Sequence, residues 1–125
     1  MQPYSQRIFE TIKQTATPAI HFGTGTASLL ELMAEAGGDI ISIDWRVDLD
    51  TAWERIGYDR GIQGNLDPTL LLTPWNVIET GMQDVLQRAA NRPGHIFNLG
   101  HGVLPDTPPD MLRRLVDAVH ESTKR

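Results

Sequence analysis

His95-Ile96-Phe97-Asn98-Leu99-Gly100-His101-Gly102-Val103 is the stretch on which the reading of this 125-residue chain turns. It reads as a short buried strand that runs straight into a histidine flanked by glycines. A polar residue just past the carboxyl end of a parallel strand is where α/β proteins place ligand chemistry. The two glycines let the backbone turn sharply and leave a ligand room to approach the imidazole. A plain strand-to-loop turn, with His101 bonded to backbone or water, accounts for the same residues, so the flanking sequence has to decide.

Working outward, Asn91-Arg92-Pro93-Gly94 forms the turn into that strand. Before it, Thr73-Pro74 predicts the start of a long helix running to residue 90, with threonine as N-cap and proline in the first position. Its apolar stripe is Trp75, Val77, Ile78, Met82, Val85, Leu86 and Ala89, which core packing explains. After His101, Thr107-Pro108-Pro109-Asp110 opens a last helix with Leu112, Leu115, Val116 and Val119 on one face. His120 reads as a surface residue, and residues 121–125 as a frayed polar end.

The first ninety residues repeat the same alternation. Residues 4–15 carry Ile8, Phe9 and Ile12 at helical spacing, and Thr17-Pro18 stops that helix. Residues 19–22 form a strand ending in Gly23-Thr24-Gly25-Thr26. A helix over 28–34 follows, where Ser28 and Glu31 have capping-box spacing. The glycine loop lacks both the dinucleotide fingerprint and the P-loop lysine, so it reads as a tight turn beside a binding site. His21 reads as a satisfied core or rim histidine. Gly37-Gly38 caps the helix, and residues 39–45 have the apolar density of a buried parallel strand. At its end Asp44 and Arg46 read either as a carboxylate and a cation at the mouth of a site or, the simpler account, as an acceptor that organises the loop and a solvated charge. A short helix over 50–56 ends at Gly57. A strand over 61–65 then runs into Leu66-Asp67-Pro68, a turn of the type that shapes a pocket.

The order is one helix followed by four βα units, which predicts a parallel sheet with right-handed crossovers. Four units do not close a barrel of eight strands, and an open sheet leaves two edges for another chain to pair with. Composition narrows the function classes. The chain is 40% hydrophobic and 22% charged with a net charge of −5, and it has no basic run that would suit nucleic acid. It has no cysteine, so disulfides, thiolate metal sites and a cysteine nucleophile are excluded. Without an apolar run long enough for a membrane span or a signal peptide, a cytoplasmic protein is expected.

Four pieces in order resemble the uroporphyrinogen decarboxylase family: His21-Phe22-Gly23-Thr24-Gly25, Ile43-Asp44-Trp45, Gln63-Gly64-Asn65-Leu66-Asp67-Pro68 and Asn98-Leu99-Gly100-His101-Gly102. The last helix, with Leu115-Val116-Asp117-Ala118-Val119-His120, is similar too. The resemblance implies that residues 1–125 are a single unit, the C-terminal half of a TIM (β/α)8 barrel. It implies a lyase of haem biosynthesis that converts the four acetate side chains of uroporphyrinogen III to methyls, giving coproporphyrinogen III. No metal and no organic cofactor are implied, because an electron-rich pyrrole can be protonated and serve as its own electron sink. By position His101 matches the family's active-site histidine, which contacts substrate near its carboxylates. Gly23, Asp44, Asn65 and Asp67 match strand ends that scaffold the pocket, and Gly100 and Gly102 leave room for a tetrapyrrole. Arg46 gains no role, since the family varies there.

The family's arginine motif and its aspartate, tyrosine and serine precede the region covered, so the chain alone is expected to be inactive. The implied partners are a tetrapyrrole polycarboxylate and either a missing N-terminal half or another copy of the chain. Nucleic acid and membrane are not among them. Two other readings stand beside this one. A corrinoid methyltransferase on the same barrel would need a zinc site of His and Cys, and this chain has no Cys. A non-catalytic half-barrel would assemble through its open edges, and a flavodoxin-like open sheet is a rearranged version of the same units.

Overall fold

The computed structural model describes residues 2–124. Helix α1 (Gln2–Lys13) leads into β1 (Ile20–Phe22), α2 (Leu30–Ala36), β2 (Ile40–Ser42), α3 (Leu49–Ile56), β3 (Gly61–Leu66), α4 (Trp75–Ala89), β4 (His95–Leu99) and α5 (Pro109–Ser122). The four strands are all parallel and lie in the order β1-β2-β3-β4. Each crossover therefore steps one strand in the same direction. With right-handed crossovers, such a sequence puts every connecting helix on the same face of the sheet.

The register defines the two faces, because side chains of paired residues in parallel strands point the same way. One face carries the row His21, Ile41, Ile62 and His95. Helices cover it: Ile41 and Ile62 are fully buried in a core with Leu30, Leu49, Trp53, Ile78 and Met82. Trp53 sits at the centre of this layer, 1% exposed, and its indole N–H donates to the Arg60 carbonyl at 2.9 Å. The other face carries Ile20 and Ile40 in one row and Phe22, Ser42, Gln63 and Ile96 in the next. There Ile20, Phe22 and Ile96 remain 46%, 48% and 39% exposed.

Local signals placed most elements to within a few residues, but three helix starts differ from expectation. Ser28 does not cap α2. It lies in a 3-10 turn, Ala27–Leu29, and no side chain caps either the turn or the helix. Glu31 turns away to Arg55, with two contacts of 2.7 Å, and this pairing holds its carboxyl down to about 2. Likewise Thr73 does not cap α4: its hydroxyl donates back to the Leu70 carbonyl at 2.5 Å. Pro74 has an extended ψ of 153°, so it stands outside the helix, which begins at Trp75. Two residues assigned to the apolar stripes, Val77 and Val116, are exposed at 38% and 50%. Asp50 does not start α3 either; Asp48 holds the N-cap position, and Asp50 pairs with Arg88 at 3.0 Å. Arg88 also reaches Asp84 and Asp48, tying α4 to the start of α3. Among the described residues no helix is long and apolar enough to cross a membrane.

Candidate functional site

The carboxyl edge of the sheet collects most of the residues singled out from the sequence. Asp44, two residues past β2, is 2% exposed, so its charge needs partners. It accepts from the backbone N–H of Gly25 at 2.6 Å and of Arg46 at 2.9 Å, and the Arg46 guanidinium lies 3.3 Å away. Asp44 thus joins the glycine loop after β1 to the turn after β2. Gly25 is needed there for its backbone, since it has a φ of +64° in the left-handed region. Buried Asn65, near the end of β3, donates from its side-chain amide to the carbonyls of Asp44 at 2.8 Å and Val47 at 2.5 Å. The peptide bond between Gly64 and Asn65 is cis.

His101 is exposed, and its surroundings are aromatic. Its ring meets Phe22 edge-on at 6.4 Å and Trp45 at 6.2 Å, with 83° between the planes in the second pair. The Phe22 contact is informative about shape. Strands β1 and β4 are three strand spacings apart, roughly 14 Å along a flat sheet. The loop after β4 closes that gap by running back across the edge. The Gly100 N–H donates to the Leu66 carbonyl at 2.7 Å. A Cβ on Gly100 would stand 2.6 Å from the Trp45 nitrogen and 3.1 Å from the Asp44 carbonyl carbon. Gly100 is therefore a packing requirement between two backbones, a different reason from the ligand clearance expected of it. A Cβ on Gly102 would meet nothing within 4 Å, so open space does lie on that side of His101.

The remaining candidates are local. Thr26 donates from its hydroxyl to the Gly23 carbonyl at 3.0 Å, which closes the turn after β1. Asp67 accepts from the Thr69 N–H at 2.9 Å and from its hydroxyl at 2.8 Å, capping a 3-10 turn, Pro68–Leu72. His21 lies on the helix-covered face, with Nδ1 at 3.2 Å from the Met33 carbonyl and 3.3 Å from the Gly37 carbonyl, and its ring is 4.6 Å from that of Phe9. It ties β1 to the end of α2.

Two ring neighbours of His101, Phe22 and Trp45, were given no role of their own by the sequence reading. The Arg46 guanidinium carbon lies 4.7 Å from the centre of the Trp45 ring, where a solvated charge was expected. The aromatic residues at the ends of the first two strands were the available signal. No group of three His, Asp or Glu side chains among the described residues is arranged to hold a metal ion. A cleft of about 440 Å³, lined by Arg92, His95, Val119 and Lys124 among others, lies at the opposite, amino end of β4.

Comparison with known proteins follows the same line. Residues 1–122 match the family model described as uroporphyrinogen decarboxylase (URO-D). A uroporphyrinogen decarboxylase from Salinispora tropica is 52% identical over 125 residues, all of this chain and 34% of the relative. Those from Carboxydothermus hydrogenoformans and Sorangium cellulosum are each 51% identical, over 95% and 96% of this chain and 34% of the relative. The chain thus spans about a third of the length of these curated relatives, a smaller share than the half expected from its strand count. Among solved structures, a methyltransferase from Methanosarcina mazei superposes with a TM-score of 0.83 over 99% of this chain and 36% of its own, at 22% identity. That likeness concerns the fold, a TIM-barrel-like arc of βα units.

Proposed function

The chain belongs to the uroporphyrinogen decarboxylase family, and on that premise we propose that it forms one arc of a carboxy-lyase barrel acting on the acetate arms of a tetrapyrrole polycarboxylate. Residues 1–125 act as one unit of that barrel. The reading rests most on one observation: His101 stands exposed between Phe22 and Trp45 at the carboxyl edge of a parallel sheet. An imidazole against two aromatic edges can donate a hydrogen bond to a carboxylate while the rings receive the apolar macrocycle. Gly23, Asp44, Asn65, Asp67 and Gly100 support it as scaffold, and Gly102 leaves the open side. In the reaction itself a pyrrole carbon takes up a proton, the bond to the carboxylate breaks, and the electrons return through the ring as CO₂ leaves. The exocyclic methylene left on the ring is then protonated to a methyl, and the ring carbon gives up the proton it had taken, so one proton is consumed for each CO₂ released. The substrate supplies its own electron sink, so no cofactor enters.

A histidine with its scaffold is part of a site, so the isolated chain is expected to show no turnover of uroporphyrinogen III above background. Adding the preceding part of a relative's barrel should restore it, and His101→Asn in that assembly should lower it ~10–100-fold. Turnover by the isolated chain near that of a full-length relative would overturn the claim of inactivity. An unchanged His101→Asn assembly would overturn the role of His101. A second reading, assembly of the arc through its edges, is favoured by the apolar exposure of Ile20, Phe22 and Ile96. Light scattering tests it, since a strictly monomeric, well-folded chain speaks against it.

A further inference from the structure

We propose that Arg46 is a second carboxylate-binding residue on the same edge, acting beside His101 as a positioning and specificity residue. The inference rests on the reading of that edge as the substrate side. The carboxylate of Asp44 already takes two short backbone hydrogen bonds, from Gly25 and from Arg46 itself. The guanidinium adds one longer contact of 3.3 Å, through Nη1 alone. A guanidinium carries five N–H donors in a planar fork. Among the described residues no other hydrogen bond is formed by this one, and the side chain is 54% exposed. What fixes its direction is the Trp45 ring, 4.7 Å from its central carbon.

That same indole meets His101 edge-on at 6.2 Å. One ring therefore carries a cation and an imidazole, both open to solvent at one end of the sheet. Gly25 makes room for this placement: a Cβ there would come within 3.3 Å of Nη1. The spare N–H groups of an oriented guanidinium match a carboxylate as two parallel hydrogen bonds, which a lysine ammonium does not reproduce. The ligand class is thus an acid with several carboxylates, wide enough to meet Arg46 with one and His101 with another.

Benzenehexacarboxylate, a non-reacting polyacid, serves as the probe. Its binding to the 125-residue chain is followed by NMR through the Trp45 indole N–H, assigned with Trp45→Phe. Arg46→Ala should weaken binding about tenfold and Arg46→Lys by a smaller factor, with both losses shrinking at high salt. Arg113→Ala, which removes an exposed cation on α5, should leave it unchanged. Thermal melts confirm that each variant folds, and Arg46→Lys keeps a charge beside Asp44 if Arg46→Ala does not. Equal affinity of the wild type and the Arg46 variants overturns the proposal, as does a wild-type chain whose Trp45 signal ignores the probe. Because the probe reads equilibrium binding, a chain that never supports turnover but loses affinity with Arg46 keeps this inference, and turnover with unchanged binding defeats it alone.

Discussion

Both faces of the sheet carry isoleucines, and they differ in what lies opposite. Ile41 and Ile62 on one face are fully buried beneath α2, α3 and α4. Ile20 and Ile96 on the other are 46% and 39% exposed. Strands apolar on both faces are the pattern of parallel sheets meant to be covered twice. The bare face is therefore the inner wall of a barrel seen without its remaining strands. The chain spans about a third of the length of these relatives. One face holds the arc together, and the other leaves isoleucine and phenylalanine side chains in solvent.

Substitutions on the two faces should separate accordingly. The largest effect is expected from Trp53→Ala, which empties the middle of the covered face and should cost about 3–5 kcal/mol in denaturant unfolding. Gly100→Ala comes next, at about 1–3 kcal/mol, since the new methyl meets backbone and not a side chain that can swing away. It should also displace Trp45 from His101, visible as a shifted indole signal.

A further effect belongs to pH. His95, half-buried at the start of β4, contacts the Gly64 carbonyl through Nε2 at 3.0 Å. Burial holds its pKa below the usual value of 6.5, and the Gly64 carbonyl opposes that only in part. The unfolded chain therefore binds the proton more readily. Stability is full above about pH 6.5 and falls as pH drops below it, levelling off once folded His95 is protonated too. His95→Gln, which keeps an N–H donor, should remove this component from a series of unfolding curves between pH 5 and 8. The smallest effect is on the bare face, where Ile20→Thr and Ile96→Thr should stay within about 0.5 kcal/mol. A cost there approaching that of Trp53→Ala would break the comparison. It would mean that the bare face is already covered in solution, by a second copy of the chain.

The alternation of strands and helices was legible in the sequence because each βα unit carries its own apolar runs and glycine stops. The one-sided layering was not, because right-handed crossovers also suit a flavodoxin-like order with helices on both faces, and only the observed order β1-β2-β3-β4 decides between them. Helix caps were less legible. Ser28 and Thr73 have the right chemistry for N-caps, but a 3-10 turn takes up Ser28 and the Leu70 carbonyl takes the hydroxyl of Thr73. At the candidate site, His101 and Asp44 stood out because each follows a strand directly. Phe22 did not, since its contact with His101 depends on a loop folding back across two intervening strands. Arg46 is exposed as the sequence reading had it, and only the direction of its side chain shows that it also lies on Trp45.

Asn65 has a thermodynamic consequence for whatever binds at this edge. Its amide grips the carbonyls of Asp44 and Val47, so the residues between them, Trp45 and Arg46, are pinned at both ends of their turn. Fixing the backbone of one residue costs roughly 1–2 kcal/mol. A turn clasped from the neighbouring strand has met much of that cost during folding, before any ligand arrives. On the proposed reading of this edge, part of the affinity is set by an asparagine that need not touch the ligand.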